Sequence, residues 1–228
     1  MNIAIIPARG GSKRIPRKNI KDFCGKPMIA WSIEAALASG CFEQVIVSTD
    51  DLEIAEVSKK YGAEVPFLRP KELAGDFIPT RPVMQHAIKE LTLAGFNIKD
   101  ICCLQATAPL IKAHDIKDAY RKFVLQNKGF VFSASSFSYP IQRAFYINED
   151  GLARMFNPEN INIRSQDLTA AYHDAGQFYW GDKNSFLSDD TIFEAFSTPY
   201  ILTREKVQDI DTLEDWEFAE RLFMLDQR

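Results

Sequence analysis

Short apolar runs alternate along this chain with longer stretches in which apolar positions fall three or four residues apart. Ile3-Ala4-Ile5-Ile6, Val45-Ile46-Val47, Ile101-Cys102-Cys103-Leu104 and Phe130-Val131-Phe132 are runs of the first kind. Continuous apolar runs of this length match strands buried on both faces, as in a parallel sheet covered by helices. They predict strands over 2–7, 44–49, 64–68, 100–105, 130–135, 176–180 and around 200–202. Helical spacing predicts a helix between Pro27 and Gly40, one from an Asp51 cap to Tyr61, and others over about 81–94 and 114–126. A last helix from Thr212 buries Leu213, Trp216, Ala219 and Phe223. Such alternation points to an α/β fold, a mainly parallel sheet flanked by helices, in a single domain over 1–228.

The pattern changes after residue 136. Over 137–172, Pro140, Gly151 and Pro158 interrupt any regular period, and Phe137, Tyr139, Phe145, Tyr146 and Met155 lie scattered among polar neighbours. Apolar side chains outside the alternating pattern mark an excursion from the sheet whose exposed surface serves as an interaction face or a lid. The expectation is a small dimerisation arm in a homodimer.

Composition narrows the picture without changing it. The 228 residues carry a net charge of -4 with a pI near 5.5, and 46% are hydrophobic, enough for the core of one domain. No apolar stretch reaches the roughly 20 residues of a membrane span, and the chain opens on a strand and not on a charged and apolar leader. The reading is a cytoplasmic protein with neither a membrane nor a nucleic-acid partner. Cys24, Cys41, Cys102 and Cys103 form no Cys-x-x-Cys pair, which disfavours a zinc site. Cys102 and Cys103 are expected on opposite faces of one strand.

Against the acidic background the first loop stands apart. Arg9, Lys13, Arg14, Arg17, Lys18 and Lys21 all precede the first acid, Asp22, and Gly10, Gly11 and Ser12 lie among them. Glycine lets backbone N–H groups approach a ligand closely, and arginine and lysine neutralise phosphate oxygens. A glycine-rich basic loop directly after a strand is therefore a candidate triphosphate cradle. It has the spacing of neither the dinucleotide fingerprint nor the P-loop, which weighs against a dinucleotide-dependent oxidoreductase. Ligands of open α/β sheets bind at the carboxyl ends of strands, which adds Thr49-Asp50, Gln105-Ala106-Thr107 and Asp209-Ile210-Asp211. Asp209 and Asp211 alternate on an extended segment and point the same way, as two oxygen donors for one Mg²⁺ need. The competing reading makes Asp211 the cap of the last helix, in the pattern Asp211-Thr212-Leu213-Glu214. A metal pair also separates an enzyme from a non-catalytic nucleotide-sensing module, which needs none.

The run Pro7-Ala8-Arg9-Gly10-Gly11-Ser12-Lys13-Arg14-Ile15-Pro16-Arg17-Lys18-Asn19 resembles the signature of the CMP-sugar synthetases. The likeness to the CMP-sialic acid synthetases, the acylneuraminate cytidylyltransferases, covers nearly the whole chain. It implies a Rossmann-like nucleotide-diphospho-sugar transferase fold, and transfer of CMP from CTP to a nine-carbon 2-keto sugar acid with release of pyrophosphate. It implies Arg9, Lys13 and Lys18 as catalytic cations on the triphosphate, with Gly10, Gly11, Ser12 and Asn19 beside them. Arg69, Thr80 and backbone near Ile78 would hold the cytosine, Gln105 would lie between nucleotide and sugar, and Asp209 and Asp211 would hold Mg²⁺. On the sugar side the candidates are Gln142, Arg164, Gln166, His173 and Tyr179. There the chain departs from the sialic acid enzymes: Ser165 stands for the second arginine of an Arg-Arg-Gln-Asp motif, and Ala175 for an asparagine. The variant resembles the branch acting on pseudaminic acid, with N-acetylneuraminate, legionaminate and 3-deoxy-manno-octulosonate as alternatives. Rings among Phe178, Tyr179 and Trp180 would suit the more apolar sugar. No residue suggests itself as a general base.

Overall fold

The computed structural model describes residues 1–126, 128–189, 191–193 and 196–226. Their elements run β1 (Asn2–Pro7), β2 (Asp22–Phe23), β3 (Lys26–Pro27), α1 (Met28–Ser39), β4 (Gln44–Ser48), α2 (Leu52–Lys60), α3 (Thr80–Leu93) and β5 (Asp100–Leu104). Then come α4 (Ala113–Gln126), β6 (Phe130–Ser136), β7 (Phe145–Ile147), β8 (Ala153–Met155), β9 (Tyr172–Asp182), α5 (Lys183–Leu187), β10 (Thr198–Leu202) and α6 (Leu213–Asp226). One sheet takes the order β10-β6-β9-β5-β1-β4. β1 is parallel to both β4 and β5, and β6 is parallel to β10.

The apolar runs form strands because their side chains alternate between two buried faces. Ala4 and Ile6 pack on one side with Ile29 and Ile33 of α1 and Ile116 and Phe123 of α4. Ile3 and Ile5 pack on the other with Met84, Ala87 and Leu91 of α3. Cys102 and Cys103 divide between the same faces. Helix ends follow local chemistry. Asp51 Oδ1 accepts from the Ile54 N–H at 3.0 Å and caps α2, and Gly40 ends α1 at φ +64°, a conformation a Cβ disfavours.

Two expectations change. Residues 64–68 form no strand: a single parallel bridge joins Glu64 to Ile46. Pro66, with no N–H to donate, cannot extend it. β9 starts at Tyr172, well before 176, and runs antiparallel between β5 and β6. Its first residues, Tyr172-His173-Asp174, are polar and meet β6 beyond a register shift between Phe132 and Ala134. No period in the sequence announces a strand broken in that way.

A third apolar cluster joins Ile15, Phe23, Met28, Leu110, Ile210, Trp216 and Phe223. Phe23 meets Trp216 and Phe223 edge-on at 5.3 and 5.6 Å. This cluster ties the loop after β1 to α6 and to the segment that carries Asp209 and Asp211. Between β6 and β9 the chain leaves the main sheet as the β7–β8 hairpin with short 3₁₀ turns, and it is back in the sheet at Tyr172, which pairs with Ser136. Phe145, Ile147, Phe156 and Ile161 are each more than 60% exposed there. Among the described residues, no helix is long and apolar enough to cross a membrane.

Candidate active site

Residues following β1 and β5, with the segment from Arg69 to Val83 and Asp211, line a cleft of about 460 Å³, and Thr49 and Asp50, expected there after β4, are not in its lining. Five cations, Arg9, Lys13, Arg14, Lys18 and Arg69, share its lining with two carboxylates, Asp76 and Asp211. Ser12, Asn19, Ile78, Thr80, Gln105 and Thr107 complete the polar and cytosine-side candidates in it. A net positive cleft in an acidic protein selects an anion by charge alone.

The loop after β1 is held by the fold rather than by a ligand. Asn19 Nδ2 donates to the Arg9 carbonyl at 3.0 Å, and the Gly10 N–H donates to Asp50 Oδ1 at 3.0 Å. Arg17, at φ +56°, donates to both oxygens of Asp51 at 2.5 and 3.0 Å and to Glu53 at 2.5 Å. The Arg17 guanidinium holds the Asp51 carboxyl below the usual range, and Asp51 in turn raises Arg17. A Cβ on Gly10 would lie 2.7 Å from Asp51 Oδ2, so this contact alone requires glycine. Ile15, the one apolar residue between Gly10 and Pro16, is fully buried against the α6 cluster. Its burial contributes about 2–3 kcal/mol. Gly10 and Asn19, expected at the phosphates, thus have these donors engaged, Asn19 within the loop and Gly10 with the residue pair that follows β4. Gly11 has open space where a side chain would be.

Lys18 Nζ donates to the Ile210 carbonyl at 2.6 Å and lies 3.6 Å from Asp211 Oδ1. Arg14 Nη2 approaches the same oxygen at 2.8 Å. The cap of α6 is Thr212, and not Asp211: Thr212 Oγ1 accepts from the Asp215 N–H at 3.2 Å, while Asp215 Oδ2 accepts from the Thr212 and Asp211 N–H groups at 2.8 and 3.1 Å. The Asp211 carboxylate is left to the loop cations. Burial, and then the neighbouring Asp211, push the Asp209 carboxyl above its ordinary value. Asp209 is not itself among the residues lining the cleft.

Arg69 is nearly buried and makes no ion pair with Glu72. It donates to the Ser48 and Leu73 carbonyls at 2.7 and 3.4 Å, and its Nε has no partner. Burial lowers its guanidinium below the ordinary value, yet an arginine so placed keeps its charge. Gln105 is pinned by its backbone, donating to the Gln177 carbonyl at 2.8 Å and accepting from Ser32 Oγ at 2.8 Å. Its side chain is left for the cleft.

The other sugar-side candidates lie elsewhere. Tyr179 lines a second cavity of about 160 Å³ with Thr80, Met84, Cys103 and Phe186. Its hydroxyl donates to Asp174 Oδ2 at 2.6 Å, and burial raises its pKa. Phe178 and Trp180 are wholly buried in the core, so neither ring faces a ligand, contrary to the expectation for that trio. Burial pushes the Cys103 thiol up to about 12, far from a reactive thiolate. Gln142 donates to the Thr169 carbonyl at 2.7 Å, Arg164 pairs with Asp167 at 2.7 Å, and Gln166 is exposed beside them. His173 Nδ1 lies 2.9 Å from the Asp174 carbonyl, with its ring against Phe137. These four belong to the arm and its base and do not line the cleft of their own chain. Sequence reasoning passed over Asp76 and the Arg17–Asp51 pair. Their one signal was acidic residues in loops that follow the same sheet edge.

A cationic cleft beyond the carboxyl ends of an α/β sheet, with a carboxylate pair beside it, defines a polyphosphate-binding protein of the nucleotidyltransferase kind. The chain belongs to the cytidylyltransferase family, which it matches over residues 3–223. It is 52% identical over 222 residues to the pseudaminic acid cytidylyltransferase of Campylobacter jejuni subsp. jejuni serotype O:2, with 97% of this chain and 96% of that one covered. It is 34% identical over 234 residues to the CMP-N,N'-diacetyllegionaminic acid synthase of Legionella pneumophila subsp. pneumophila, covering 99% and 97%. Its fold matches that of CMP:2-keto-3-deoxy-manno-octonic acid synthetase complexed with CTP, with a TM-score of 0.72 at 17% identity over 99% of both chains. The expected α/β nucleotidyltransferase fold and family are borne out.

Proposed function

We propose that this chain transfers CMP from CTP to pseudaminic acid, a nine-carbon 2-keto sugar acid, and releases pyrophosphate in the cytoplasm. The observation that carries the sugar is the 52% identity along nearly the full length, against 34% for the legionaminic relative. The anomeric hydroxyl attacks the α-phosphorus in line; the new P–O bond forms as the bond to pyrophosphate breaks. Such a reaction asks chiefly for alignment and charge neutralisation. Arg9 and Lys13 take the β- and γ-phosphates. Lys18 stands between the loop and Asp211. Arg69 and Thr80 hold the cytosine, and the side chain of Gln105 orients the sugar beside it.

Asp209 and Asp211 suit a Mg²⁺ ion. Burial, and then the acidic neighbour, raise the Asp209 carboxyl, while Asp211 Oδ1 is shared by Arg14 and Lys18, side chains that a bound cation would displace. Hard cations take two such oxygens together with phosphate and water. When bound, the ion supplies charge neutralisation at the phosphates and lowers the pKa of a coordinated hydroxyl. Activity abolished by excess chelator and restored by Mg²⁺ is the expected result.

The arm makes a homodimer contact, supported by its largely exposed Phe145, Ile147, Phe156 and Ile161. Gln142, Arg164 and Gln166, remote from their own cleft, then have a second chain to serve. Pyrophosphate release from CTP, measured across a panel of nine-carbon sugar acids, tests the whole reading. Pseudaminic acid should exceed N-acetylneuraminate about ten- to a hundredfold in kcat/KM, and CTP should exceed UTP by a similar factor. Equal rates on both sugars would overturn the sugar assignment.

A further inference from the structure

One contact in the cleft is explained neither by folding nor by the reaction as drawn. Arg9 Nη1 lies 2.5 Å from Asp76 Oδ1, and Lys13 Nζ lies 2.5 Å from Asp76 Oδ2. The two cations belong to the loop after β1, while Asp76 belongs to the loop that runs from Arg69 to Thr80. A single carboxylate therefore spans the cleft, joining the loop expected at the phosphates to the loop expected at the base.

The core does not need this contact. Lys13 is 81% exposed and the Arg9 and Asp76 side chains are both solvent-accessible. Exposed pairs of this kind contribute little to stability. The neighbouring attachments of the same loop, from Arg17 to Asp51 and from Gly10 to Asp50, already fix its path without Asp76. A carboxylate on two cations does, however, match a phosphate: it is anionic and offers two acceptor oxygens at charge-assisted distances.

We infer that Asp76 is an internal competitor for the pyrophosphate half of the nucleotide. It occupies Arg9 and Lys13 in the empty cleft and yields them to the β- and γ-phosphates. This rests on the reading that those two cations meet the β- and γ-phosphates. CTP and pyrophosphate must displace the carboxylate, whereas CMP, which lacks both phosphates, does not meet it. As pyrophosphate departs, Asp76 returns to the cations and opposes its rebinding. The residue thus sets selectivity for phosphate number and limits product inhibition, without touching the reacting atoms.

Calorimetric titration of the full chain and its Asp76→Asn variant with inorganic pyrophosphate, CTP and CMP provides the test. The variant should bind pyrophosphate and CTP about three- to tenfold more tightly, the release of two exposed ion pairs, and CMP within about twofold of the parent. Product inhibition by pyrophosphate should strengthen by the same factor. Unchanged or weaker pyrophosphate binding in the variant overturns the proposal, and so does an equal gain for CMP, which would report only a general change of charge. A melting temperature close to the parent's confirms that the variant is folded. The cytidine reading fails separately, by parent protein that binds UTP as well as CTP, and that outcome leaves the pyrophosphate comparison intact.

Discussion

The cleft and the arm are built in opposite ways. At the cleft, strands buried on both faces lead into residues that are already engaged: the backbone of Gly10 with Asp50 and of Gln105 with Gln177 and Ser32, and the Lys18 ammonium with the Ile210 carbonyl. The bonds of the arm are local, as between Gln142 and Thr169, Arg164 and Asp167, or Asn148 and Leu152. Its apolar side chains point outward. Like charges gathered around one ligand repel one another until it arrives, so their positions have to be enforced by a core. A surface proposed to meet another chain needs only local order, because a partner would supply its burial.

Three experiments press on that contrast. The largest effect belongs to Lys18. Lys18→Ala should lower kcat/KM for CTP about 10²- to 10³-fold, the usual loss for a preorganised charge donor, with the melting temperature shifting only a few degrees. A loss under tenfold would place the decisive charge elsewhere in the loop. Next is the arm: Phe145→Asp should convert a homodimer to a monomer by light scattering while CTP binding stays within about twofold. A parent protein that is monomeric at micromolar concentration removes the arm from the interface.

The smallest effect concerns the anchor of the loop. Asp51→Asn keeps an α2 cap but loses the charge that Arg17 faces, and should lower the melting temperature by about 2–4 °C, or about 1 kcal/mol in a chain of this size. The folded carboxyl lies below its unfolded value. Its contribution is therefore present above the ordinary carboxylate range and is lost as the pH falls through the depressed folded value. The gap between parent and variant should close in that acid range; a gap that persists there would mean the loss is packing and not charge.

Much of the frame was legible because it rests on local rules. Alternating buried runs, an Asp cap at 51 and a glycine stop at 40 depend on neighbours along the chain, and the elements stand within a few residues of where those signals lie. The missing strand at 64–68 and the early start of β9 were not legible. One turned on Pro66 at a pairing position, the other on a register shift opposite Phe132 that no single strand encodes. Within the site, Arg9, Lys13, Lys18, Gln105 and Asp211 were found by residue type at strand ends, and Arg69 and Thr80 through the family resemblance. Asp76 was not, because its importance lies in which cations it meets across the cleft.

By itself the amino-acid sequence determined the layered α/β plan, the cationic loop and the carboxylate pair near the end, which follow from periodicity and from residue chemistry at short spacing. The family was reached through the resemblance of the run from Pro7 to Asn19. Only the tertiary structure decided that Ile15 would anchor the loop to α6, that Phe178 and Trp180 would be core, and that Asp76 would meet Arg9 and Lys13 across the cleft. Those outcomes depend on groups tens to hundreds of residues apart. A sequence reads charge and period along the chain, whereas burial and ion pairing are settled by whatever the fold brings into contact.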